Sequence, residues 1–467
     1  MNYTDFFKMI PEASLVAVLI ILFVADFISA KTEERKWFNP LACALLLANT
    51  IVCLLPMQPE EAFGGMYITS AAVNVMKAIL AFGTFIVVLQ SRVWAGKSGK
   101  EGEFYMLVVS TLLGMNTMMS AGNFLMFFLG LEMASVPMAC VVAFDAYRNN
   151  SAEAAAKFIL TATFSSGVML YGISFIYAAY GTMYFNDIAA NIQATPLTIM
   201  GLVFFFSGLG FKISLVPFHF WTADTYQGAP TTVTGYLSVI SKGAAAFTLL
   251  SILFHVFDSL LARTYDDCHC TFHHHCQPLR YPPRRVETLH GVQFYLAGRL
   301  HHACCIGQQL GRINSIAKLL RTYLRGCQYG CVHHHLGCRT EQWRQDRHFR
   351  LQWFLQNQST FSLGGIPPFA GMFSKFFVFM SGVKGADITT TEGAWIYGIL
   401  FIALINTVVS LYYYLKIVKA MYITHCDTPM PTFKSDTNTK FALAVCTTGI
   451  VLFGVFSYVY EWIAAAI

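Results

Sequence analysis

The chain has 467 residues, 55% of them hydrophobic and only 12% charged, where a water-soluble domain carries about a quarter charged residues; a soluble globular enzyme is excluded. The formal net charge of +6 belongs to one stretch: Asp258–Gln358 holds 12 of the 15 Arg, 11 of the 14 His and 8 of the 13 Cys, with 13 basic against 6 acidic residues. The rest carries 18 basic and 19 acidic residues, so the basic balance implies no nucleic-acid partner.

Apolar runs long enough to cross a bilayer lie near 11–30, 39–57, 70–91, 104–120, 123–144, 156–180, 198–221, 231–257, 361–383, 392–415 and 438–466. About 20 residues at a rise of 1.5 Å cross the hydrocarbon. The runs predict an all-α polytopic membrane protein with about eleven readable spans, embedded in the lipid bilayer. The first run, Pro11–Ser29, lacks a basic leader and continues into Lys31-Thr-Glu-Glu-Arg-Lys36; it reads as a retained span rather than a signal peptide. Loops after the first, third and fifth runs carry Lys31, Arg35 and Lys36, then Arg92, Lys97 and Lys100, then Arg148, while the alternate loops carry no Lys or Arg. The positive-inside rule then sets the N-terminus outside. The same rule makes the loop flanked by Lys416, Lys419, Lys434 and Lys440 cytoplasmic, which requires an odd number of further spans between 258 and 358.

That segment is abnormal as written. Cys268, Cys270, His273–His275, Cys304, Cys305, Cys331 and His333–His335 are metal-ligand types, but they lack the paired spacing of a zinc site, and no metal is expected. Nor does aromatic interleaving mark an RNA-binding insert. A slip of one base explains the composition: ATC codons for Ile, read one base early, become CAT for His. With synonymous codons chosen accordingly, Ser259–Pro283, Arg285–Gln309 and Tyr323–Gln358 reread as three membrane-type stretches, the odd number that the charges demand. Outside the segment, Cys43, Cys53, Cys140, Cys426 and Cys446 are scattered, mostly in apolar runs, and read as inert core thiols.

Lysine at mid-bilayer costs about 2.5–3.5 kcal/mol on insertion scales and rarely persists without a role. Lys157, Lys212, Lys242 and Lys375 lie inside apolar runs, with Glu132 as their acidic counterpart. Lys157 has Glu153 four residues earlier, so simple ion pairing competes evenly with a role there. Lys77 and Asp26 read as paired or snorkelling residues. Pro217 follows Lys212 and Pro367-Pro368 precede Lys375; proline breaks a helix, and freed backbone at membrane depth is tolerated where it lines a hydrated cavity. Paired broken helices point to an ion pathway built from inverted repeats. His219, seven residues after Lys212, shares its face if the helix continues, as a relay or a structural histidine. Gly228-Ala-Pro230 and Gly364-Gly-Ile-Pro-Pro368 read as turns or helix breaks.

The run Phe211-Lys-Ile-Ser-Leu-Val-Pro-Phe-His-Phe-Trp-Thr-Ala-Asp-Thr-Tyr-Gln-Gly-Ala-Pro230 resembles the seventh-helix signature of the subunit N family, the antiporter-like membrane subunits of the bacterial proton-pumping NADH–quinone oxidoreductase (complex I). Glu132-Met-Ala-Ser, Glu153-Ala-Ala-Ala-Lys157, Ser238-Val-Ile-Ser-Lys242 and Phe361-Ser-Leu-Gly-Gly-Ile-Pro-Pro-Phe-Ala-Gly371 extend the resemblance over nearly all of 1–257 and 360–467. It implies fourteen helices, with inverted repeats over helices four to eight and nine to thirteen. The expected units are three N-terminal helices (1–102), a first repeat broken near 212–217 (103–257), the anomalous segment (258–359), and the rest of the second repeat with a C-terminal helix (360–467). The resemblance further implies a relay of Glu132, Lys157, Lys212, Lys242 and Lys375, in which the Glu132–Lys212 pair switches charge during quinone reduction elsewhere. FMN, iron–sulfur clusters and quinone are expected in partner subunits and no cofactor in this chain. The implied setting is the bacterial cytoplasmic (inner) membrane, beside other membrane subunits of the complex. A cation/proton antiporter subunit and a non-pumping structural subunit are the competing readings.

Overall fold

The computed structural model describes residues 3–29, 35, 37–55, 60–145, 149–215 and 218–257, and in the C-terminal part 362, 365–367, 369–383, 436–455 and scattered positions of 394–415. The anomalous segment, with its Cys and His clusters, lies outside the described residues, as do Pro217, Pro368, Lys416, Lys419, Lys434 and Cys426.

A 3-10 helix, Tyr3–Met9, leads into α1, Ile10–Ser29, and α2 is Phe38–Leu54. Next come α3 (Ala71–Ser98), α4 (Glu101–Met119), α5 (Phe124–Val142) and α6 (Asn149–Tyr180). The short α7, Phe185–Asn191, precedes α8, Pro196–Ile213, and α9, Phe220–Gly228. A continuous helix then runs from α10 (Thr231–Tyr236) through a π-helical turn, Leu237–Ser241, into α11 (Lys242–His255). The C-terminal part contributes α12, Ala370–Val383, and α13, Thr437–Val455. All eight apolar runs before the anomalous segment are helical, and six helices among the described residues are long and apolar enough to cross a membrane. Thr231–Leu253 and Ala71–Ser98 are the innermost of these, with 83% and 78% of their apolar windows buried, against 33% for the first span. Phe7, Phe27, Leu160 and Phe164 point outward on peripheral helices, as lipid-facing side chains do.

The run over 198–221 is interrupted within the expected 212–217: α8 ends at Ile213, where Ser214 turns left-handed (φ 66, ψ 44), and the chain restarts as α9. Two features depart from the expected layout. A β-hairpin, Glu60–Ala62 with Tyr67–Thr69, interrupts the otherwise helical chain, its turn made by the left-handed Phe63, Gly64 and Gly65. The small α7 was also unforeseen. Hairpin, α4–α5 turn and α7 are stitched together at one end of the bundle: Ile68 N donates to Ser120 O (2.9 Å), Gly122 N to Met66 O (2.8 Å) and Phe185 N to Gly122 O (3.0 Å).

Helices meet where side chains are smallest, as expected when lipid removes the hydrophobic drive between helices. Gly114 of α4 faces the backbone of Met133 and Ala134 on α5, and Gly130 of α5 faces Met118 in return. Gly172, Gly201 and Gly208 play the same part between α6 and α8. These seams fix where α5 and α8 present Ser135 and Lys212.

Candidate functional site: two buried lysines across an aromatic cluster

Lys212 occupies the last turn of α8 and is 4% exposed. A cation there complements the negative end of the helix dipole. Its Nζ donates to Ser135 Oγ at 2.7 Å, and that hydroxyl donates in turn to Leu131 O (2.7 Å). Glu132 lies three residues before Ser135 on α5 and acts on Lys212 through space, but among the described residues no salt bridge joins the two. The expected Glu132–Lys212 pair is therefore an electrostatic neighbourhood, with Ser135 as the direct contact.

The break after Lys212 is closed by specific bonds. Ser214 N donates to Phe211 O (2.9 Å) and Leu215 N to Gly210 O (2.7 Å). Trp221 Nε1 donates to the same Phe211 carbonyl at 3.0 Å, and Thr222 Oγ1 donates to Ser214 Oγ at 2.6 Å. A non-glycine residue in the left-handed region costs of order 1–3 kcal/mol and persists where its surroundings hold it; here α9 does so.

Lys242 follows the π-turn and is 5% exposed; such turns widen a helix and recur at functional sites. Its Nζ stands 4.9 Å from the Tyr226 ring centre and 5.6 Å from that of Trp221. Trp221 packs on Phe158 (5.2 Å) and Phe211 (5.0 Å), and Lys212 Nζ lies 5.9 Å from the Phe158 ring centre. The two lysines thus flank one aromatic cluster, each ammonium facing a ring. Ser135, Phe158, Trp221 and Tyr226 were not among the expected relay residues, although Trp221 and Tyr226 stand in the run from Phe211 to Pro230 that carries the family resemblance.

The other predicted residues are placed differently. Lys157 is on the half-exposed face of α6, bonded to Glu153 (2.8 Å) and to Asp224 of α9 (2.7 Å), so the ion-pair reading describes its geometry. His219 does not share a helical face with Lys212, because the helix stops between them; it stands at the start of α9, stacked on Phe220 (4.6 Å). Lys375 lies within α12, its side chain folded over the left-handed Gly365. Asp26 pairs with Arg35 (2.5 Å) and Lys77 with Glu12 (2.6 Å). Among the described residues no group of His, Cys, Asp and Glu is arranged to hold a metal.

The family described as NADH:quinone oxidoreductase/Mrp antiporter, transmembrane, matches residues 121–265, which enclose both lysines and the cluster between them. A protein of Phocaeicola vulgatus named NADH-quinone oxidoreductase subunit N is 45% identical over 99% of this chain and 98% of its own length. The chain belongs to the NADH-quinone oxidoreductase subunit N family. A second subunit N, from Azobacteroides pseudotrichonymphae, is 40% identical over 99% of this chain and 98% of its own. A chain of respiratory complex I from Thermus thermophilus shares the fold, with a TM-score of 0.76, 24% identity, and coverage of 97% of this chain and 99% of that one. The fold class and the subunit N resemblance read from the sequence both hold. The family match ends at residue 265, eight residues into the anomalous segment.

Proposed function

We propose that this subunit N chain carries protons across the bacterial inner membrane as part of an NADH–quinone oxidoreductase, with its N-terminus outside and the redox cofactors in partner subunits. Electron transfer elsewhere in the complex supplies the driving force. Glu132 shifts the charge balance of Lys212 through space, and Lys212 exchanges a proton by way of water at the helix break beyond Ile213. Lys242 receives the proton across the aromatic cluster and passes it toward Lys375. Lys157 sets the charge at the rim through Glu153 and Asp224, and His219 stands beside the break as an auxiliary relay.

The observation that supports this most is the placement of two buried lysines, Lys212 and Lys242, on either side of Phe158, Trp221 and Tyr226 at a helix break. Ammonium groups at this depth are costly unless used, and aromatic faces stabilise each one in its charged state without quenching it as a carboxylate would. The test is Lys212→Ala in inverted membrane vesicles carrying the assembled complex. NADH-driven proton uptake should fall clearly while assembly on native gels is unchanged. Undiminished uptake would favour a structural subunit. Loss of cation–proton exchange without any effect on NADH-driven uptake would favour an antiporter.

A further inference from the structure

A second buried polar array lies away from the Lys212–Lys242 cluster. Glu12 of α1 is 3% exposed and Lys77 of α3 is 0% exposed. Lys77 Nζ pairs with Glu12 Oε1 at 2.6 Å and donates to the Tyr67 hydroxyl at 3.1 Å. Tyr67 Oη completes the triangle by donating to Glu12 Oε2 at 2.8 Å. Burial and the Glu12 carboxylate push the Tyr67 hydroxyl upward, so it stays a donor, and Ser120 faces it from the end of α4.

The array has a polar approach from the interior. Along α3, Asn74, Lys77, Thr84 and Ser91 recur at three- and seven-residue intervals, and all four are buried. Tyr236, within the helix that carries Lys242, reaches this stripe: its hydroxyl lies 2.6 Å from Thr111 Oγ1 of α4 and faces Thr84. Helices α3 and α4 run antiparallel. Tyr236 joins Thr84 of α3 to Thr111 of α4 at one level, and Tyr67 joins Lys77 of α3 to Ser120 at the end of α4 about two turns further on; Asn116 lies between these two levels. Asn116 is 0% exposed, and neither its amide nitrogen nor its oxygen has a hydrogen-bond partner among the described residues. It is one turn from Ser120 on the same face of α4. A buried amide with both groups unmet calls for water. One turn before Glu12, Lys8 pairs with Asp5 and with Glu60 of the strand paired with that of Tyr67, all three partly exposed.

We propose that the seam between α3, α4 and the helix of Tyr236 is a hydrated branch of the proton path, running from Tyr236 past water held by Asn116 to the Glu12–Lys77 pair and out beside the hairpin. It rests on the relay reading above. In each passage a proton arriving from the Tyr236 side protonates the water at Asn116, which passes a proton to the Glu12 carboxylate, leaving neutral water and a neutral acid. Lys77 stays an ammonium held by Tyr67, and the proton then leaves to water beside Asp5 and Glu60. No electron moves. Lys77 and Tyr67 are positioning residues that hold Glu12 ready between passages.

The test compares variants in vesicles carrying the assembled complex. Asn116→Leu, close in volume but without polar atoms, should lose proton uptake, while Asn116→Ser should retain it. Glu12→Gln with Lys77→Met leaves no unpaired buried charge and is tolerated where a single loss is not; it should also lose uptake. In the native complex, a carboxyl infrared band should change during turnover and vanish in the Glu12→Gln, Lys77→Met double variant. Wild-type uptake by N116L, equal losses in N116L and N116S, or an infrared band that persists in the double variant each overturn the proposal. Should the double variant fail to assemble, the Asn116 pair decides. Lys212→Ala, measured alongside, separates this proposal from the relay: wild-type uptake there defeats the relay itself, whereas its loss with N116L unaffected defeats only the branch.

Discussion

Gly114 and Gly167 are both glycines inside spanning helices, yet the same substitution should act on them with opposite sign. A methyl group on Gly114 would lie 2.6 Å from the Met133 carbonyl carbon and 2.9 Å from Ala134 Cα. Ordinary carbon contacts begin at about 3.5 Å, and a backbone cannot turn aside as a side chain can, so α4 and α5 must part. Overpacking of this kind costs about 1–3 kcal/mol, while exchanging Gly for Ala within a helix gains about 0.8–1 kcal/mol. The clash wins at Gly114, leaving a net loss of up to about 2 kcal/mol. At Gly167, on the outer face of α6, nothing lies within 4 Å of the added methyl, so only the helix gain of about 0.8–1 kcal/mol remains. The assay is the thermal aggregation midpoint of the complex in mild detergent, read with proton uptake in vesicles. G114A should lower the midpoint and also lower uptake, because Ala134 adjoins Ser135 and a displacement of α5 stretches the 2.7 Å bond to Lys212. G167A should leave uptake unchanged and hold or raise the midpoint. Shifts of the same sign at both sites would refute the assignment of this seam as close-packed.

Trp221→Leu should reduce proton uptake more than Trp221→Phe, because Phe keeps a ring face near Lys242, a contact of about 0.5–2 kcal/mol, although both lose the bond to Phe211 O; equal effects in native-gel-verified complexes would assign Trp221 to capping the helix break alone. Sequencing the gene across codons 250–365 should reveal a one-base slip whose correction restores three spans, and an unbroken frame identical to the present translation would end that reading.

Much of the architecture was legible because a bilayer imposes a length: runs such as 70–91 and 123–144 are long and apolar, and their first residues, Ser70 and Asn123, cap the helices that form there. The helix break was legible in kind and in approximate position from Pro217, but not the residue that makes the turn, Ser214, whose left-handed backbone leaves no trace in residue type. The hairpin escaped notice because strands of three residues show too little alternation to register. Lys212 and Lys242 stood out as charges in apolar sequence. Their contacts did not, because Ser135 and Phe158 are ordinary in a membrane helix and meet the lysines only through packing. Glu12 went unread for a related reason: it sits in the first turn of its span, where an acid is unremarkable, and its partner Lys77 is 65 residues away.

The stitching of hairpin, α4–α5 turn and α7 at one end of the bundle has a mechanical consequence. Backbone bonds there hold the helix ends at fixed spacing, so that end behaves as a clasp. The break after Lys212 lies the full length of α8 away, about 27 Å at 1.5 Å per residue. Helices clasped at one end and interrupted at the other respond to a change of charge by pivoting, with displacement growing toward the interrupted end. A small tilt is thereby magnified where Lys212 meets Ser135, and is held to nearly nothing where Glu12 meets Lys77.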